Sequence, residues 1–229
     1  MPDLGRAIAA LVKHYGKPKA PVARDPFEQL LLEKSGYLVS DDKRERAFRE
    51  LKKRVGTSPQ KILAASMEVL EQIAEMGGIY ADTRALRMKQ CAELALAEDL
   101  KGVFKLDFKK ARKALTKYPM IGEPGAEKIL LFAGAYPVLG LESNGLRVLV
   151  RLGFGQEHKN YSTMYRSARE ALAGEIAGWN CPALIAAHQL LRQHGQEICR
   201  RTDPGCDVCP LSKECAYRAN NANPLVSRK

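Results

Sequence analysis

Four of the chain's six cysteines crowd into one stretch, in the order Cys199-x6-Cys206-x2-Cys209-x5-Cys215. Thiolates set this close repel one another unless a metal ion or cluster binds them, and the metal itself favours their deprotonation. Zinc sites usually pair two Cys-x2-4-Cys arms across a longer spacer. Here only Cys206 and Cys209 form such an arm, with single cysteines on either side. Four thiolates wrapping a [4Fe–4S] cluster suit that layout better than two arms gripping one ion. Zinc, disulfides and free thiols stay open as the other readings. A secreted disulfide framework belongs to a smaller, cysteine-dense chain, and Cys91 and Cys181 stand alone here.

The rest of the sequence reads as almost all helix. No run of alternating β-branched residues and no Asn-Gly or Asp-Gly hairpin between apolar strands interrupts it. Helices are expected over 3–15, from Asp25-Pro26-Phe27-Glu28, over 42–55, from Thr57-Ser58-Pro59, from Met67 to Met76 and from Arg84 to Ala97. The Asp25-Pro26 and Ser58-Pro59 pairs combine a capping residue with a first-turn proline. A basic helix is expected over Phe108–Tyr118. Pro119-Met120-Ile121-Gly122-Glu123-Pro124-Gly125-Ala126 then makes a tight turn, and helices follow at 126–134, 144–152, 162–176 and 181–194. A polar tail, Asn220-Asn221-Ala222-Asn223-Pro224, is expected to be loosely held.

Composition narrows the partner. The 229 residues carry a net charge of +11. Such an excess favours a polyanion, of which nucleic acid is the commonest, although a basic surface without a partner has the same composition. The basic residues are spread along the chain and not gathered beside an anchor, which speaks against a membrane surface. No apolar run is long enough to span a bilayer. Met1-Pro2-Asp3-Leu4-Gly5-Arg6 lacks the layout of a signal peptide. The expectation is a cytoplasmic monomer, nucleoid-associated if bacterial.

A glycine turn at a helix N-terminus exposes backbone N–H groups to phosphate, and side chains there would block the approach. The Pro-x2-Gly-x3-Ala turn alone is weak evidence, since ordinary helical hairpins look the same. Joined to an acidic residue and then to the cysteine pattern, it resembles the endonuclease III family of DNA glycosylases, the helix–hairpin–helix, iron–sulfur branch. The resemblance spans about residues 25–218. The cysteine spacing is its most specific part; Asp25-Pro26-Phe27-Glu28, Gly77-Gly78-Ile79-Tyr80 and His194-Gly195 also agree.

The resemblance implies an all-α, two-lobed helix–hairpin–helix glycosylase fold with a C-terminal [4Fe–4S] cluster loop. Residues 25–135 would form a six-helix barrel domain with the hairpin. Residues 1–24 plus 136–229 would form the cluster-bearing domain, with Cys199, Cys206, Cys209 and Cys215 as ligands. Double-stranded DNA, damaged or distorted, would lie across the cleft with a base flipped out. Gly122, Gly125, Lys128, Arg147, Leu38, Ile79 and Tyr80 would meet it. Ile79 and Tyr80 lie in the loop that pushes a side chain into the duplex. Leu38 stands where the family often has a glutamine filling the gap left by the flipped base, and it offers an apolar wedge instead.

Two positions depart from the family. Its lyase members carry a lysine two residues past the turn's glycine, which forms a Schiff base with the sugar. That position is Pro124, which has no nucleophile. Lys128, one turn further along the same helix face, is a poor substitute and is expected to meet phosphate or solvent. Eighteen residues on from Pro124, the family aspartate that stabilises the sugar cation is Glu142, with Arg147 keeping the register. The extra methylene adds about 1.5 Å of reach. Glutamate is also the poorer helix cap, so Ser143 is expected to take over capping. The resemblance therefore implies a base-excision-repair DNA N-glycosylase with weak or absent AP lyase activity and Glu142 in the carboxylate role. The alternative is a catalytically impaired, damage-recognising iron–sulfur protein.

Overall fold

The computed structural model describes residues 2–23 and 25–221. It is all-helical. In chain order the helices are α1 Leu4–Tyr15, α2 Pro26–Lys34, α3 Asp41–Arg54, α4 Pro59–Ala64, α5 Met67–Glu75, α6 Ala81–Ala97, α7 Leu100–Val103, α8 Phe108–Leu115, α9 Glu123–Phe132, α10 Ser143–Leu152, α11 Tyr161–Leu172, α12 Cys181–Glu197 and α13 Ala216–Asn221. A single 3-10 turn, Ser212–Glu214, precedes α13. Among the described residues there is no strand; Tyr37 and Gly78 form an isolated parallel bridge. Among those residues no helix is long and apolar enough to cross a membrane.

Local sequence starts most of these helices. Asp3, Asp25, Ser40, Ser58, Ser66, Asp107, Asn160 and Asn180 each accept a bond from the backbone N–H three residues on. Each cap satisfies a donor that the first turn leaves without an intrahelical partner. Where no such signal exists, sequence and structure part. α6 begins at Ala81 and not Arg84, after Tyr80 in a left-handed conformation with no side-chain cap. α9 begins at Glu123 and not 126, because Gly122 is the N-cap and Pro124 sits in the first turn. α8 stops at Leu115, three residues short of Tyr118, and α11 stops at Leu172. α12 runs on to Glu197. Nothing in the sequence announces α7 or α13. The polar tail begins inside α13, and its remainder from Ala222 lies outside the described residues.

The chain divides into two compact units, residues 20–136 and residues 1–19 with 137–229. The first is built on one apolar core that includes Phe27, Leu30, Phe48, Leu70, Met88 and Leu130. Its amphipathic helices each turn one stripe inward, and burying a leucine or phenylalanine contributes about 2 kcal/mol. The buried Glu28 is held by Lys52 Nζ at 2.6 Å and Thr57 Oγ1 at 2.9 Å. In the other unit α10 packs on α12, with Leu146, Leu149, Leu184 and Leu191 buried. Their backbones touch at Gly195, where an added Cβ would stand 2.6 Å from the Asn144 carbonyl oxygen.

Candidate functional site

In the unit of residues 20–136, two loops are fastened into one surface. Tyr37 N–H donates to the Gly77 carbonyl at 3.0 Å. The buried Arg84 guanidinium completes the joint. It donates to Ile79 O at 2.9 Å, Gly78 O at 2.6 Å, Lys34 O at 3.3 Å and Ala74 O at 2.5 Å. Burial holds its pKa below the ordinary arginine value. The four acceptors come from the end of α2, the end of α5 and the loop before α6, so one side chain fixes three pieces of backbone. The sequence singles out the loops but not Arg84, whose only trace is a cation near the start of a helix.

Leu38, Ile79 and Tyr80 stand out from this surface, 79%, 51% and 62% exposed. Leu38 has φ 54° and Tyr80 φ 58°. Left-handed backbone at non-glycine residues costs free energy, and such residues concentrate where a protein holds a side chain for use. The rings of Tyr37 and Tyr80 lie 5.9 Å apart. The hairpin turn adds Met120, with φ 58° and 71% exposure.

Past Met120, no side chain caps α9. A side chain at Gly122 would meet nothing nearer than Pro124 Cδ at 3.8 Å, so the space before the helix is open. Gly125 is equally uncrowded, with Ile121 Cγ2 at 3.5 Å. Lys128 differs from the sequence expectation of phosphate contact or solvation. It is mostly buried, and its ammonium lies 2.5 Å from Glu33 Oε1. Burial pushes the Glu33 carboxyl up, but Lys128, Arg44 and Lys34 outweigh it and hold the group at about 2. Glu33, Lys34, Tyr37, Tyr80, Arg87 and Met120 are among the walls of a cavity of about 510 Å³. That volume is within the range of small-molecule sites.

In the other unit Glu142 caps α10 itself. Its Oε1 accepts from Gly145 N–H at 2.6 Å. Its Oε2 accepts from Asn144 Nδ2 at 2.9 Å and pairs with Arg192 at 2.8 Å. Ser143 lies within the first turn, so the expected transfer of capping does not occur. The longer side chain reaches back where aspartate would have capped directly. Arg147, expected on DNA, has its acceptors inside the protein: Cys199 O at 2.8 Å, Gly195 O at 2.6 Å and Asn144 Oδ1 at 2.9 Å.

The cysteine loop is braced from α10 and α13. Arg151 donates to Cys199 Sγ at 3.4 Å and to the Arg200 and Arg201 carbonyls, and its guanidinium lies 4.4 Å from the centre of the Tyr217 ring. Arg218 donates to the Cys206 carbonyl. His194 sits between Tyr15 OH and Cys209 Sγ, and burial pushes its pKa down to about 4. Burial, with the charges of Cys199, Cys215 and Cys206, pushes the Cys209 thiol up to about 11. Among the described residues, no three His, Cys, Asp or Glu side chains are arranged to hold a single metal ion. The donor set itself, four thiols of one loop with cationic neighbours, fits an iron–sulfur cluster.

One helical unit carries the glycine hairpin and the other the four-cysteine loop. Solved structures share the fold. A trapped endonuclease III–DNA covalent intermediate matches with a TM-score of 0.73 at 19% identity, over 97% of this chain and 100% of that one. A thermostable thymine-DNA glycosylase matches with a TM-score of 0.71 at 16% identity, over 95% and 97%. Among curated proteins, the endonuclease III of Sulfolobus acidocaldarius is 27% identical over 76% of this chain and 74% of its own length. That of Rickettsia prowazekii is 26% identical over 71% and 70%. No family model matches the chain. In sequence and in fold, it resembles the endonuclease III-like DNA glycosylases.

Proposed function

We propose that the chain is a DNA N-glycosylase of base excision repair that releases a damaged base by hydrolysis, with weak or absent AP lyase activity. The observation that carries this reading is the likeness to endonuclease III over about three quarters of both chains, with a proline at the lyase position. Water would supply the oxygen that bonds to C1′, and its proton would leave on the base nitrogen. Glu142 would stabilise the sugar cation as the bond to the base breaks. Leu38, Ile79, Tyr80 and Met120 would enter the duplex, and the open N-terminus of α9 at Gly122 and Gly125 would take a phosphate. Lys128 and Arg147 would serve by holding Glu33 and the cysteine loop.

Cys199, Cys206, Cys209 and Cys215 would hold a [4Fe–4S] cluster. When bound, it supplies four iron–thiolate bonds that close the loop. Protein purified without air is expected to absorb near about 400 nm, and to lose that band in Cys209→Ala. A colourless protein containing zinc overturns the cluster.

A second reading, a damage-recognition protein that does not cut, draws on the occupation of both Glu142 oxygens. Duplexes bearing a panel of lesions separate the two. Base release by the wild type that fails in Glu142→Gln supports the enzyme. Binding to lesion duplexes with no release from any of them supports the binder.

A further inference from the structure

We propose that the ring of His194 donates an Nε2–H···S hydrogen bond to the Cys209 thiolate and so raises the reduction potential of the cluster, with the Tyr15 hydroxyl holding the ring in place. The inference rests on the cluster reading above. It goes beyond that reading by giving a task to two side chains that are not ligands.

The direction of the bond follows from counting donors. His194 is 1% exposed, and both of its ring nitrogens have a partner. Nε2 lies 3.4 Å from Cys209 Sγ, and Nδ1 lies 3.1 Å from Tyr15 OH. A cysteine that ligates a metal has lost its proton, so its sulfur can only accept. Nε2 must then carry the hydrogen. In a neutral imidazole the other nitrogen is an acceptor, and the Tyr15 hydroxyl is the donor that faces it. One direction runs through all three groups, from Tyr15 O–H to Nδ1 and from Nε2–H to sulfur.

Three parts of the unit of residues 1–19 and 137–229 place these groups. Tyr15 is the last residue of α1, where the chain turns off as Gly16 N–H donates to Val12 O. His194 stands in the last turn of α12. Its carbonyl accepts from Ile198 N–H at 3.0 Å and from Cys199 N–H at 2.8 Å. One residue thus grips the loop twice, through its main chain at Cys199 and through its ring at Cys209. The two rings meet edge to face, with centroids 6.0 Å apart. Packing fixes where the imidazole lies, and the hydroxyl fixes how it is turned.

An N–H aimed at a ligating sulfur draws electron density from it and favours the more electron-rich, reduced state; hydrogen bonds to sulfur are among the levers on cluster potentials. The effect is strongest away from water, where the local dielectric is low. A ring as buried as that of His194 meets this condition.

The test uses the whole protein purified without air. Iron and zinc are measured first, and zinc in place of iron overturns the cluster and this inference with it. On iron-loaded protein the potential is read by titration with dithionite against redox dyes. In His194→Leu the ratio of reduced to oxidised cluster at a fixed potential is expected to fall about tenfold, a shift of about 59 mV for one electron. His194→Gln offers an amide N–H near the position of Nε2 and is expected to recover most of the loss. Tyr15→Phe keeps the packing without the hydroxyl, and is expected to move the potential the same way by less. A side chain that only packs would change the iron content and leave the potential of the loaded protein where it was. Equal potentials in the wild type and His194→Leu overturn the proposal and leave the cluster standing. If leucine prevents loading, the wild type decides. With its histidines alone isotopically labelled at nitrogen, the reduced protein is expected to show a weak magnetic coupling between the cluster and a histidine nitrogen. No coupling, or one as large as that of an iron-bound nitrogen, overturns the proposal.

Discussion

Alanine at position 77 is expected to destabilise the unit of residues 20–136 by about 3 kcal/mol or more. A Cβ on Gly77 would stand 1.7 Å from the Ser35 carbonyl oxygen and 2.8 Å from its carbon. Neither atom is free to withdraw. Ser35 donates from its N–H to Leu32 O at 3.1 Å and from its Oγ to Leu31 O at 2.8 Å. The other side of the contact is no softer, because Gly77 O accepts from Tyr37 and Arg84 Nη1 lies 3.0 Å from the new Cβ. The loop must therefore move as a whole and release the Arg84 clamp. Thermal denaturation measures the loss. An unfolding midpoint within about 2 °C of the wild type would mean that the loops do not touch as described. Weaker binding to a lesion duplex should accompany the destabilisation, since Leu38, Ile79 and Tyr80 are aimed by the same joint.

Glu142→Gln is expected to lower base release about a hundredfold or more while leaving duplex binding nearly unchanged. Glutamine keeps the length but removes the charge that would face the sugar cation. It also sets an N–H group against Arg192 or against the Gly145 N–H, one of which must lose its acceptor. Some loss of stability is thus part of the expectation, and thermal unfolding of the variant measures it. Glu142→Asp separates charge from reach. It keeps the carboxylate and withdraws it by about 1.5 Å. If aspartate releases base no faster than glutamine, the carboxylate is a helix cap and the catalytic role falls.

Much of this was legible in residues whose chemistry is local. Asp25-Pro26 and Ser58-Pro59 begin helices because capping and proline geometry are settled within one turn. The cysteine spacing and the glycine turn likewise stand in consecutive residues. What the sequence hid depends on partners far along the chain. Lys128 looks like a free surface cation until Glu33, 95 residues earlier, appears beside it. Arg147 keeps the family register, but its acceptors at Gly195 and Cys199 are invisible to any count along α10. Ser143 was a fair inference from capping preference, and Glu142 defeats it because its longer side chain folds back on Gly145.

The bridge between Tyr37 and Gly78, with Arg84 beneath it, has a bearing on rates as well as on shape. A partner that docks on two independent loops must freeze both during the encounter, at a cost in conformational entropy for each side chain and backbone segment it orders. Here that ordering is complete once the unit has folded. Docking on this face should therefore proceed nearly as a rigid-body collision, with little of the binding free energy diverted to immobilising the protein. Under the proposed function, the deformation is left to the nucleic acid.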